Sequence, residues 1–266
     1  MTNQVETKPV LLVRASGNEA DAAALANLGL TSVIDPYLSI TALPGAEGYA
    51  AATALLENLT KLGKGDWVIA TSANGLKFWA TLYGSGNLST ALAAAAERGV
   101  RFAGIGEASA AMYAEFGIHE VFVPGSPYGE NLAAELISAA AAGNHRALVP
   151  AGNLAMPTLT NGLAKAGWEV TSVVVYETAS VAELPPTANA LARGEFSAVL
   201  LRSPSAARAL VQFAGATSVP VICGGTTTAT TAAELGLRVV AISSGTSPAQ
   251  LAQTIFDVVN SPLGAA

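Results

Sequence analysis

The chain reads as an α/β protein, with parallel sheets flanked by helices, arranged as two similar lobes. Three observations predict this. Short apolar, β-branched runs alternate with Ala-rich segments of helical length, as strands covered on both faces by helices require. One α/β pattern occurs twice along the sequence. The 266 residues suffice for two domains of ordinary size, each burying a core.

The elements follow in order. Val10–Arg14 opens as a strand, and Glu19–Leu28, rich in alanine, follows as a helix. Ser32–Asp35 is the next strand, and Pro36-Tyr-Leu-Ser-Ile-Thr41 is extended because of its proline and β-branched residues. Ala46–Leu59 has helical composition, Trp67–Ala70 is a strand, and Gly75–Tyr83 is a helix. The stretch Gly84–Arg98 reads as extra sequence in the first copy of the repeat. Then come strand Arg101–Ile105, helix Glu107–Phe116, strand Glu120–Val123 and helix Gly129–Ala142. The second half gives strands Arg146–Val149, Glu169–Thr178, Ala198–Leu201, Pro220–Cys223 and Val239–Ile242. Helices Met156–Ala166, Ser205–Ala214, Thr226–Leu235 and Ser247–Val259 fall between or after them, and Ala182-Glu-Leu-Pro-Pro186 reads as the end of a linker.

The repeat is explicit. Phe102-Ala-Gly-Ile-Gly-Glu-Ala-Ser109 aligns with Val221-Ile-Cys-Gly-Gly-Thr-Thr-Thr228, and the same spacing carries Leu132 onto Leu251. Upstream, Val68-Ile-Ala-Thr-Ser72 matches Val199-Leu-Leu-Arg-Ser203, and Leu11-Leu-Val-Arg14 matches Ala147-Leu-Val-Pro150. The two copies cover roughly residues 10–142 and 146–259. Repetition alone leaves open whether each copy folds by itself or the copies exchange parts.

Composition removes many chemistries. The lone thiol, Cys223, excludes an internal disulfide, and with His119 and His145 as the only imidazoles a Cys/His zinc site lacks ligands. Both histidines fall at strand starts, the wrong end for a site. The formal net charge of −6 argues against nucleic acid and anionic membrane surfaces. Mean hydropathy is +0.44, but alanine supplies it and no apolar run is long enough to span a bilayer. Met1–Lys8 lacks the basic and apolar regions of a secretion signal, so a cytoplasmic protein is expected. No phosphate-binding loop, nucleophile elbow or dinucleotide fingerprint is present.

The positive signals are strand-to-helix turns. Ser72, followed by Ala73, and Ser203 occupy N-cap positions, and Gly106–Ser109 and Gly225–Thr228 are two further turns of this kind. Glycine there admits a ligand to the backbone, while free N–H groups and the helix dipole favour an anion. Such turns hold carboxylates without much help from Lys or Arg. They are also ordinary caps, and only their repetition at strand ends argues for a ligand. Arg14 and Arg202 stand at strand ends as candidate cations, and Tyr176 sits in an apolar strand where packing and catalysis are both open readings.

Taken together, Leu11-Leu-Val-Arg14, Gly29, Pro36, Asp66-Trp-Val-Ile-Ala-Thr-Ser72-Ala-Asn74, Ala103-Gly-Ile-Gly106-Glu-Ala-Ser109, Val174-Val-Tyr176-Glu-Thr178, Leu201-Arg-Ser203-Pro-Ser205 and Gly225-Thr-Thr-Thr228 resemble the uroporphyrinogen-III synthase family. The likeness runs from about Val10 to Val259. It implies two lobes with exchanged segments: residues 1–36 with 179–266 as one, 44–171 as the other, and 37–43 with 172–178 as a two-stranded connector. It implies cyclisation of hydroxymethylbilane to uroporphyrinogen III with inversion of ring D through a spiro intermediate, without metal or cofactor. The enzyme is expected to be a monomer whose only partner is that small-molecule substrate. Tyr176 then becomes the expected general acid, and Arg14, Ser72, Ala73, Gly106, Ser109, Arg202, Ser203, Gly225, Thr227 and Thr228 the expected substrate-binding residues. The turn Ala151-Gly-Asn-Leu-Ala-Met-Pro157 departs from the charged turn of many relatives. The alternative is a noncatalytic two-lobed binding protein for a small carboxylate or sugar.

Overall fold

A computed structural model describes residues 8–141 and 143–261. The segment Met1–Lys8, on which the expectation about a secretion signal rests, lies, apart from Lys8, outside them, as do the expected helix end at Ala142 and the last residues of the 179–266 segment. The elements are β1 (Val10–Leu12), α1 (Asn18–Asn27), β2 (Ser32–Ile34), β3 (Leu38–Ala42), α2 (Gly45–Lys61), β4 (Trp67–Ala70), α3 (Ala73–Tyr83), α4 (Ser85–Glu97), β5 (Arg101–Gly104), α5 (Glu107–Glu115) and β6 (Val121–Phe122). They continue with α6 (Gly129–Ala139), β7 (Arg146–Gly152), α7 (Thr158–Lys165), β8 (Glu169–Ser180), α8 (Ala188–Ala192), β9 (Ala198–Leu201), α9 (Pro204–Ala214), β10 (Val221–Cys223), α10 (Thr226–Glu234), β11 (Val239–Ile242) and α11 (Pro248–Val259).

The chain divides into two compact units, Met1–Ser39 with Ala179–Ala266, and Ile40–Thr178. The first holds a five-stranded sheet in the order β11-β10-β9-β1-β2, and the second is built on a six-stranded sheet in the order β3-β8-β7-β4-β5-β6. The registered pairs of β1, β2 and β9–β11 are parallel, as are those of β4–β8. Strand for strand, β9-β10-β11 and β1-β2 occupy the order that β4-β5-β6 and β7-β8 occupy in the other sheet. In each sheet the order of successive strands therefore reverses at one place, between β9 and β1 or between β4 and β7. In open α/β sheets, ligands bind outside the carboxyl ends of the strands at such reversals.

The period of two along the strands builds two cores per unit. Val68 and Ala70 of β4 pack with Leu55, Leu76, Trp79 and Leu92 on one face, whereas Trp67 and Ile69 pack with Leu132, Leu136, Leu159 and Leu163 on the other. In the other unit, Leu11 and Val199 pack with Leu210 and Ala232, while Val10, Leu12 and Leu200 pack with Leu25, Leu251 and Ile255. Burying each of these valines, leucines and isoleucines contributes about 1.5–3 kcal/mol.

Several elements differ from the sequence expectation. The stretch Gly84–Arg98 forms a full helix, α4, because Leu88, Leu92 and Ala95 recur on one buried face. Gly84, at φ 93°, separates it from α3. Strand β7 runs on through Pro150 to Gly152, and β8 continues to Ser180. β6 shrinks to Val121–Phe122, an edge strand paired only to β5. The short helix α8 is an addition to the expected elements, and the Asp35 carboxylate holds its N-cap, accepting from both the N–H (2.8 Å) and hydroxyl (2.7 Å) of Thr187.

Candidate functional site

In the unit Ile40–Thr178, the carboxyl ends of β4, β5 and β8 carry the expected residues. Ser72 is the N-cap of α3: its Oγ accepts from the Asn74 N–H at 3.2 Å, and Ala73 is the first helical residue. The helix starts two residues earlier than expected because this cap forms. Its Gly75 approaches the Pro150 carbonyl so closely that a Cβ there would collide with it, which seats the start of α3 on the end of β7. After β5, Gly106 is the N-cap of α5, and no side chain caps that end. The first helical residues, Glu107 and Ala108, are exposed, whereas Ser109 is buried at 2% exposure with its Cβ against Gly104. Helical geometry turns the third residue of α5 toward the strand, so backbone N–H groups are better presented here than the Ser109 hydroxyl.

Tyr176 lies near the carboxyl end of β8, half-buried, in register with Gly152 of β7. Its ring stacks on Phe78 of α3 with centroids 5.3 Å apart and planes at 28°. It also lies against Gly152 so tightly that a Cβ at 152 would overlap the ring and stand 2.8 Å from the phenol oxygen. Asn153 then clamps β8: its Oδ1 accepts from Thr178 N–H at 2.9 Å, and its Nδ2 donates to the Thr178 carbonyl at 3.3 Å. The uncharged Ala151–Pro157 turn thus positions β8, and it exposes Leu154 and Met156.

The other unit repeats this construction with charge added. Ser203 caps α9, its Oγ accepting from Ala206 N–H at 3.2 Å and lying 2.9 Å from the Ser205 hydroxyl. Gly225 is the N-cap of α10, again without a side-chain cap, and Thr226 and Thr227 are exposed while Thr228 is 4% exposed. Arg14 follows β1 and Arg202 follows β9, so both stand where the sheet reverses.

Sequence reasoning missed the residue between them. Asp21 of α1 is 2% exposed, and its two carboxylate oxygens accept from Nη1 of Arg202 at 2.8 and 3.1 Å. Arg202 also donates through Nη2 to the Thr246 carbonyl at 2.7 Å, so much of its donor set is used inside the protein. Arg14 Nη1 lies 3.9 Å from Asp21 Oδ2, and the side chain is 36% exposed against 19% for Arg202. Burial and the adjacent Arg202 charge draw the Arg14 guanidinium below its ordinary pKa, while Asp21 and Glu19 act in the opposite direction. Two guanidiniums thus share one buried carboxylate, and the exposed Glu19 is the fourth charge of the cluster. The only signal for Asp21 in the sequence is an acid within the first turn of an Ala-rich helix, shortly after a strand-end arginine.

The remaining candidates play other parts. His145 bridges the carbonyls of Gly65 and Ala141, and Cys223 is a fully buried core thiol. A cavity of about 650 Å³ beside Arg101, His119 and Glu120 opens at the amino-terminal ends of β4 and β5, the opposite edge from the turns. Among the described residues, no group of three or more His, Cys, Asp or Glu is placed to hold a metal, and no helix is long and apolar enough to cross a membrane.

Comparison with known proteins follows the same line. The uroporphyrinogen-III synthase HemD family model matches residues 19–253. The fold is similar to a mutant uroporphyrinogen III synthase from the extremely thermophilic bacterium Thermus thermophilus, at 20% identity and a TM-score of 0.58, covering 92% of this chain and 96% of that one. It is also similar to uroporphyrinogen-III synthetase from Helicobacter pylori, at 14% identity and a TM-score of 0.62, covering 95% and 100%. A comparison with curated protein sequences finds no match. With most of its length matched by the family model, the chain belongs to the uroporphyrinogen-III synthase family, cyclising lyases of tetrapyrrole biosynthesis.

Proposed function

We propose that this chain converts hydroxymethylbilane into uroporphyrinogen III by the residues described above. The family match over residues 19–253 carries the reading. Loss of the terminal hydroxyl of the linear tetrapyrrole generates an azafulvene cation. Tyr176 donates the proton that lets the hydroxyl leave as water, and the electron pair of the broken C–O bond departs with the oxygen. The cation is attacked by the substituted carbon of ring D, giving a spiro intermediate that fragments and recloses with that ring inverted. The final loss of a proton restores aromaticity and balances the one donated.

Spontaneous closure gives the uninverted isomer, so the protein's contribution is largely orientation. The substrate is a polycarboxylate, and its acetate and propionate groups fit the donors available: the N-termini of α3, α5, α9 and α10, the hydroxyls of Ser72, Ser203 and Thr227, and the guanidinium of Arg14. Ser109 and Thr228 shape the turns by packing their side chains inward. The duplicated-unit reading is supported by the matching strand orders, and β3 beside β8 supports the connector reading. A cytoplasmic monomer needing no cofactor completes the proposal.

The test supplies freshly generated hydroxymethylbilane and separates the product isomers. Isomer III formed faster than spontaneous closure is expected. Isomer I alone, at the spontaneous rate, overturns the proposal and leaves the noncatalytic binding protein in its place.

A further inference from the structure

We infer that Asp21 is a positioning residue for substrate binding, one that locks Arg202 into the protein and keeps Arg14 presented to a substrate carboxylate. The inference rests on the proposed role of Arg14 as a substrate contact and extends it to a buried group that touches no substrate.

Charge and geometry carry the argument. A carboxylate that is 2% exposed needs compensation, and Arg202 supplies it with hydrogen bonds to both oxygens. Arg202 is held at its other end by the Thr246 carbonyl, so it ties α1, the end of β9 and the turn before α11 together. Its charge is thereby neutralised inside the cluster. Arg14 is different: its approach to Asp21 is 3.9 Å, beyond a hydrogen bond, and its guanidinium is the more exposed of the two.

Arg14 is also aimed by its own turn. Its backbone N–H is 3.3 Å from the Asn18 Oδ1, and the Asn18 Nδ2 donates back to the Arg14 carbonyl at 2.8 Å. The guanidinium folds over Gly17, where a Cβ would sit 3.5 Å from Nη1, at an α1 N-terminus that no side chain caps. An anion bound by Arg14 therefore meets the positive end of α1 as well. The charged groups facing this point are Arg202, Asp21 and Glu19. Removing the Asp21 charge leaves Arg14 and Arg202 facing each other as like charges, with only the exposed Glu19 opposing them, and lets Arg14 turn away while Thr246 still holds Arg202.

The experiment measures KM, kcat and thermal unfolding for Arg14→Met, Asp21→Asn, their double variant and Arg202→Met. Asp21→Asn is expected to raise KM about 10-fold, the worth of one charge-assisted hydrogen bond, with kcat within about 2-fold of the parent. The double variant is expected to be no worse in KM than Arg14→Met alone, because both changes remove one interaction. A folded Asp21→Asn protein with unchanged KM, with an effect confined to kcat, or with losses that multiply in the double variant overturns the inference. Should Asp21→Asn fail to fold, Arg202→Met decides: a raised KM supports the lock and an unchanged KM overturns it. An unchanged KM in Arg14→Met removes the substrate contact itself and the inference with it. A raised KM there, with normal Asp21→Asn kinetics, removes only the role of Asp21.

Discussion

Tyr176 lies in register with Gly152 on the neighbouring strand, and its ring occupies the volume that any side chain at position 152 would need. Phe78 is stacked on the same ring. The phenol is thus placed by two residues that share no chemistry with it.

Replacing Gly152 with alanine is expected to mimic loss of the phenol. Tyr176→Phe removes the proton donor and should slow formation of isomer III by about 10–100-fold, at or below the usual contribution of a general acid. Gly152→Ala leaves the hydroxyl but forces the ring aside, so it should produce a similar loss in a folded protein, checked by the isomer assay and circular dichroism. Normal turnover in Gly152→Ala would show that ring placement is irrelevant and make Tyr176 a packing residue.

Glu107 opens α5 where its counterpart turn in the other unit has Thr226. Its carboxylate is exposed at the helix N-terminus, the place proposed for a substrate carboxylate, and competes with it for the same dipole and N–H groups. Glu107→Gln is expected to lower KM by about 2–4-fold, from a dipole interaction of roughly 0.3–1 kcal/mol. Steady-state kinetics at low ionic strength check it, and added salt should shrink the difference.

Parts of this site are legible in the sequence because they are local. Ser72 and Ser203 cap the helices that begin one residue later, and a cap is specified within three or four residues. Ser109 and Thr228 also sit in the expected turns, but which way they face depends on how α5 and α10 lie on their strands, a tertiary fact. The clamp by Asn153 and the space made by Gly152 depend on the register of β7 against β8, which no local pattern encodes. Asp21 and Arg202 are 181 residues apart in the chain, so their pairing emerges only once β1 and β9 lie side by side. Helix α4 reads as an insertion because the repeat has no counterpart for it, although its leucine spacing is visible.

Asp66 ties the amino-terminal edge of the second sheet together. Its Oδ1 accepts from the Arg146 N–H at 2.9 Å, and its Oδ2 accepts from the Gly63 N–H at 2.9 Å and from Nε and Nη2 of Arg146 at 3.1 and 2.8 Å. The residue is 5% exposed and the side chain of its partner Arg146 is 40% exposed, so removing the carboxylate leaves several part-buried donors without their acceptor. Asp66→Ala is expected to cost about 1–3 kcal/mol, the range for leaving hydrogen-bond donors without an acceptor, as read from urea unfolding. Because these contacts lie at the edge opposite the turns, KM of the folded variant should stay unchanged.

Cys223 gives the fold a dependence on alkaline pH. Its side chain, fully buried in β10 among Val199, Leu201 and Val221, has its thiol pushed up to about 11 by burial. An unfolded chain ionises the same thiol near its ordinary value, around 8.5. The folded value is the higher one, so the unfolded state loses its proton first. The stability this group contributes is present below pH of roughly 8.5 and falls as pH rises toward about 11. Cys223→Ala is therefore expected to lose less stability than the parent between those values, after allowance for the small cavity it creates, as followed by urea unfolding at stepped pH. Consistent with the same burial, the native thiol should react with a disulfide reagent only as fast as the protein opens, and immediate labelling at neutral pH would contradict the placement of Cys223 in the core.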